Sequence, residues 1–113
     1  MIVEIKSVEE FNQLIKDGNV VVEFGASWCG PCQVMLRIMK SVESDLNVKF
    51  VKVDVDEFSE LASKYLVSNI PSFFACKDGQ SISFKVNGKD ELNLLGAIQE
   101  DDFVKILKDT FNL

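Results

Sequence analysis

The chain has 113 residues, 47% of them hydrophobic and 27% charged, which is the balance of one soluble globular domain spanning residues 1–113. Twelve basic residues against 18 acidic ones leave a net charge of −6, which argues against nucleic-acid or anionic-membrane partners, since either needs a basic face. Histidine is absent, which removes Ser-His and Cys-His nucleophile pairs, histidine-ligated zinc and the usual general base near neutral pH.

Met1 to Lys6 is not a signal peptide, because Glu4 interrupts its short apolar run. No stretch approaches the ~20 apolar residues of a membrane span, so the expected compartment is the cytoplasm. Ile2 to Ile5 reads as an edge strand. Ser7 and Glu10 form a capping box ahead of a helical stripe of Val8, Phe11, Leu14 and Ile15, which Gly18 stops. Val20 to Phe24 is an apolar run broken only by Glu23, as in a parallel strand covered on both faces.

Trp28-Cys29-Gly30-Pro31-Cys32 opens the next helix, whose stripe is Cys32, Met35, Leu36, Met39 and Val42. Val48 to Val55 is a β-branched strand, and Ser59 to Leu66 is a helix with Leu61, Ala62 and Tyr65 inward. Ile70-Pro71 precedes a strand over Ser72 to Lys77. Asp78-Gly79 is a hairpin signal, and Ile82, Phe84 and Val86 alternate as one half-exposed antiparallel strand. Phe103, Ile106, Leu107 and Phe111 mark the last helix, with Asp101 and Asp102 in its first turn, where the helix dipole favours them. The order β-α-β-α-β-α, hairpin, α predicts an α/β fold with a mixed central sheet and four flanking helices.

Three cysteines are too few for a disulfide-stapled scaffold, and Cys29 and Cys32 stand three apart. A structural zinc site wants four Cys/His ligands, which this chain does not have; no metal and no cofactor are expected. A C-x-x-C pair at a helix start, straight after a buried strand, has a redox reading. The first cysteine meets free N–H groups and the positive helix end, so its thiol drops below the free pKa of ~8.5 and attacks as thiolate. The second, one turn in, resolves the mixed disulfide. Gly30-Pro31 keeps the turn tight and favours a reducing pair over an oxidase or isomerase. Cys76 reads as a small core residue, with a regulatory thiol as the alternative.

Val22-Glu23-Phe24-Gly25-Ala26-Ser27-Trp28-Cys29-Gly30-Pro31-Cys32 resembles the active-site segment of the thioredoxin family. Lys52-Val53-Asp54-Val55-Asp56, Ile70-Pro71-Ser72 and Gly96-Ala97 match further. The resemblance implies the thioredoxin fold and a protein-disulfide reductase working through a reversible Cys29–Cys32 dithiol/disulfide. It implies Cys29 as nucleophile, Cys32 as resolving thiol, and Pro71 as a cis proline that leaves Ile70 free to pair with an extended substrate. Trp28, Gly30, Pro31, Ile70, Pro71 and Gly96 would form the substrate face. The implied partners are disulfide-containing proteins and a flavoprotein or ferredoxin-linked thioredoxin reductase, with the chain as a monomer.

The family carries an acid, most often aspartate, at Glu23 to relay the Cys32 proton, and a lysine at Lys52 to partner it. Burial is expected to raise the Glu23 pKa against the pull of a Lys52 placed at the sheet margin. Gly25 leaves the site barer than in many relatives, and Gln33 replaces the usual positive charge. Ser81 to Leu95 runs roughly nine residues beyond the family pattern, where Asp78-Gly79 and Asn87-Gly88 compete as turns. The expectation is one hairpin, at Asp78-Gly79, with the excess as a loop or short turn in Asn87 to Leu95.

Overall fold

The computed structural model describes residues 1–113. Its elements run β1 (Ile2–Glu4), α1 (Val8–Leu14), β2 (Asn19–Gly25), α2 (Gly30–Val42), β3 (Lys49–Asp54), α3 (Ser59–Lys64), β4 (Ser72–Lys77), β5 (Gln80–Ile82), β6 (Phe84–Val86), β7 (Lys89–Glu91), β8 (Leu94–Leu95) and α4 (Glu100–Phe111). The main sheet has the order β1-β3-β2-β4-β5, with β8 also on β4. β1, β3 and β2 are parallel, while β4 runs antiparallel to β2 and to both β5 and β8.

The central place of β2 follows from its side chains, since six of its seven residues are buried and Glu23 is the one charged residue among them. Val20, Val22 and Phe24 pack with Phe11 of α1 and Leu61 and Ala62 of α3. Val21, on the opposite face, packs with Met35, Met39 and Val42 of α2 and Phe103, Leu107 and Phe111 of α4. Each fully buried Phe or Met contributes roughly 1.5–3 kcal/mol. No helix is long and apolar enough to cross a membrane.

The expected capping box of α1 forms in half. Ser7 Oγ accepts from the N–H of Glu10 at 3.1 Å, although the Glu10 carboxylate takes the N–H of Lys6, not that of Ser7. Asn112 ends α4 in the left-handed conformation.

The C-terminal strands depart from expectation. Asp78-Gly79 and Asn87-Gly88 are both two-residue hairpin turns, with φ of 49° and 84° in the first and 51° and 81° in the second. Positive φ at both central residues is the type I′ geometry that matches strand twist. The excess is therefore not a loop but a second hairpin, β6–β7, which forms its own two-stranded sheet. The run Ile82, Phe84, Val86 is likewise split: Ile82 pairs with Ala75 in the main sheet, whereas Phe84 pairs with Glu91.

The pairing register measures the insertion. Partner numbers on β4 and β5 sum to 157 (Ala75 with Ile82), but on β4 and β8 to 167 (Phe73 with Leu94), so ten residues are extra. β5 and β8 are thus two pieces of one edge strand with a hairpin between them. That hairpin leans on α4, where Phe84 is fully buried and the Lys85 N–H donates to Thr110 Oγ1 at 2.9 Å. Two reversals within the insertion restore the chain direction, which is why the last helix still reaches its place.

Candidate redox site

The chain leaves the buried end of β2 and turns into α2 through Ala26 to Cys29, with the Cys29 N–H donating to the Ala26 carbonyl at 3.2 Å. Cys29 is the N-cap of α2, and Pro31 lies in its first turn, where a missing N–H costs nothing. The Cys32 N–H donates to Cys29 Sγ at 3.2 Å. Cys29 and Cys32 form a disulfide, their Cα atoms 5.2 Å apart.

A cysteine outside the helix start, with its partner inside the first turn, is expected to be the exposed one of the two. Cys29 is instead 4% exposed against 2% for Cys32. Ala26, Val55 and Ile70 pack with the cysteine pair. The surface of the site is made instead by Trp28, 69% exposed, and by Gly30 and Pro31.

The Ile70–Pro71 peptide bond is cis, and Ile70 lies against the cysteine pair. Gly96, with φ of 76°, donates its N–H to the Pro71 carbonyl at 2.9 Å, which ties the start of α4's approach to the site. Space beside Gly96 is open on its side-chain side. An apolar groove of about 160 Å³ runs along Trp28, Val55, Ala62, Val67, Ser68 and Ile70. Trp28 Nε1–H donates to Asp56 Oδ2 at 2.9 Å, fixing the indole over this groove. Sequence reasoning missed Asp56, although its place just past the end of β3 was a signal. A larger cleft of about 340 Å³ lies between the inserted hairpin and α4 and holds neither cysteine.

Beneath the disulfide, Glu4, Lys52 and Glu23 stand in register across β1, β3 and β2. Lys52 is therefore on an inner strand and not at the sheet margin, with its side chain 18% exposed. Its Nζ donates to Glu23 Oε1 at 3.0 Å, while Glu23 Oε2 is buried without a partner. Burial pushes the Glu23 carboxyl up from its ordinary 4.5; Lys52 pulls it back by charge and hydrogen bond, Glu4 pushes it up, and burial prevails.

The sign for stability follows from linkage. Below the unfolded pKa the carboxyl is neutral in both states. As pH rises through the folded pKa, the unfolded chain gives up its proton first and stability falls, by about 1.4 kcal/mol for each pH unit between the two values. Urea unfolding at a series of pH values from 4.5 upward should show this fall, and Glu23→Gln should flatten it. Stability rising through the window would show that Lys52 outweighs burial.

Cys76 lies on β4 on the α1/α3 side of the sheet, free and 2% exposed, with burial pushing its thiol up. It packs as a core residue, remote in kind from the capped pair at α2.

A disulfide at a helix N-terminus, one sulfur receiving an N–H, beside a cis X–Pro bond and an exposed tryptophan, defines a dithiol–disulfide oxidoreductase site. The thioredoxin family model matches residues 2–101. Thioredoxin of Chlamydia caviae is 34% identical over 99 residues, covering 87% of this chain and 97% of that protein. The crystal structure of oxidised mitochondrial thioredoxin 3 from Saccharomyces cerevisiae aligns at TM-score 0.75 and 34% identity, over 96% of this chain and 94% of that one. Thioredoxin from Trypanosoma brucei brucei aligns at TM-score 0.81 and 30% identity, over 100% and 93%. The chain belongs to the thioredoxin family. It is a thiol-disulfide oxidoreductase whose redox-active pair is Cys29 and Cys32.

Proposed function

We propose that this chain is a cytoplasmic, monomeric electron carrier, one domain over residues 1–113, that keeps protein disulfides reduced. The observation that carries the division of labour is the Cys32 N–H donating to Cys29 Sγ at the start of α2. A negative sulfur at that position receives a hydrogen bond and the positive helix end, so Cys29 is the attacking thiolate. Trp28, Gly30, Pro31, Ile70, Pro71 and Gly96 receive the substrate strand around it, with the Trp28–Ile70 groove taking an apolar side chain.

The Cys29 thiolate attacks one sulfur of the substrate disulfide, and the other leaves as a thiolate. A Cys29–substrate disulfide remains. Cys32 then gives its proton to the Glu23 carboxylate, held by Lys52, and its sulfur attacks Cys29. The Cys29–Cys32 bond forms, the substrate sulfur leaves with the bonding pair, and both substrate thiolates take up protons. Two electrons have passed from the dithiol to the substrate. A thioredoxin reductase, flavoprotein or ferredoxin-linked, returns two electrons and two protons.

Insulin turbidity tests the reading. With dithiothreitol as donor, micromolar protein should bring precipitation forward sharply, and the Cys29→Ser/Cys32→Ser double variant should match dithiothreitol alone. A wild-type protein no faster than dithiothreitol would overturn it.

A further inference from the structure

Gly25 closes β2 two residues after Glu23, so the two lie on the same face of the strand, toward α2. It is buried, and its φ lies outside the left-handed region, so an alanine could adopt its backbone. The need for glycine there is space. A Cβ at residue 25 would stand 3.1 Å from Cys32 Sγ, 3.3 Å from Glu23 Oε1 and 3.5 Å from Cys32 Cβ. Sγ and Oε1 thus flank one empty methyl site and lie within 6.4 Å of each other, the sum of the first two distances.

Neither neighbour is free to move aside. Cys32 is anchored in the first turn of α2 whether the pair is oxidised or reduced, and Glu23 Oε1 is held by Lys52 Nζ. An acid one methylene shorter at position 23 would draw its carboxylate back along β2 and vacate the methyl site. The groups that face Glu23 are Lys52 from β3, Glu4 beyond it on β1, Cys32 from α2 and the apolar Phe73 from β4. Asp54, paired with Gly25, is turned to the N–H groups of Asp56 and Glu57. A cleft of about 150 Å³ lined by Gly25, Gln33, Leu36 and Lys52 opens beside the site, giving a proton a route to water.

We propose that Gly25 is a positioning residue for deprotonation of Cys32: its missing side chain makes the room in which the longer acid at position 23 reaches that sulfur, so residues 23 and 25 form a matched pair. The inference rests on the proposed role of Glu23 as proton acceptor.

The test reacts each reduced protein with one equivalent of 5,5′-dithiobis(2-nitrobenzoate). The first thionitrobenzoate release reports attack by Cys29, and the second reports resolution by Cys32. Gly25→Ala should slow the second release at least about tenfold at neutral pH, out of the roughly 10²–10⁴ that a placed acid–base group contributes, and shift the midpoint of its pH profile. In the Glu23→Asp background the same alanine should cost less than about twofold, a departure from additivity well beyond that of independent sites. An equal loss in both backgrounds overturns the pairing.

Glu23→Gln separates the two layers. If it slows the second release while the alanine losses are equal, the pairing fails and the role of Glu23 stands. If it leaves that release and its pH profile unchanged, the role of Glu23 fails and the pairing with it. Should Gly25→Ala fail to fold, the double variant decides: one that folds and resolves like Glu23→Asp supports the match, and one that also fails to fold overturns it.

Discussion

Cys29→Ser should abolish disulfide reduction, whereas Cys32→Ser should stop turnover yet accumulate a covalent mixed disulfide with substrate. The asymmetry comes from the helix end. Cys29 caps α2 and its sulfur accepts the Cys32 N–H, so a thiolate there is stabilised before any substrate arrives. Cys32 sits inside the first turn and attacks only after the first bond has formed. With Cys32 removed, nothing in reach displaces the bound substrate, since Cys76 is buried on the far face of the sheet. Non-reducing electrophoresis of each variant mixed with oxidised insulin reads the result. Mixed disulfides accumulating on Cys29→Ser, through Cys32, would reverse the assignment.

Phe73→Ala should cost about 3–5 kcal/mol, a large part of the ~5–15 kcal/mol that holds a domain together, and lower Tm by on the order of 15 °C. Phe73 is fully buried, its ring centroid 5.6 Å from that of Phe103 on α4. It also links both neighbours of β4, pairing with Glu23 on one side and Leu94 of the resumed edge strand on the other. The cavity would admit water beside Glu23 and relieve part of the burial that raises its carboxyl, so the fall of stability with pH should shrink as well. Calorimetry at two pH values measures both effects. A loss below about 1 kcal/mol would mean that α4 closes onto the sheet without strain.

Much of the fold was legible because its signals are local. The apolar run of β2, the capping of α1, the Asp78-Gly79 turn and the C-x-x-C pair each carry their reason within a few residues. The buried acid Glu23 was legible too, because a carboxylate in such a run has no other way to be noticed. What was hidden was pairing and cover. Ile82, Phe84 and Val86 have the parity of one strand, but parity does not say which sheet each residue joins, and α4 captures Phe84. Asn87-Gly88 is as good a turn as Asp78-Gly79, and only two reversals together keep the chain direction. The burial of Cys29 depends on Val55 and Ile70, 26 and 41 positions away in the chain. The approach of residue 25 to Cys32 spans only seven positions, but it depends on how α2 folds back over the end of β2.

The interrupted edge strand bears on how this molecule behaves in a crowd. An open sheet edge invites a second sheet to extend it, and long flat edges are where such chains stick to one another. Here one border is the three-residue β1, and the other is broken into pieces of three and two residues by the ten-residue excursion. Neither offers a run of free N–H and C=O groups long enough to seed a shared ladder, and the hairpin that makes the break carries Lys85, Lys89, Asp90 and Glu91 on its exposed positions. Extra sequence placed at that point therefore leaves the sheet without a long open edge.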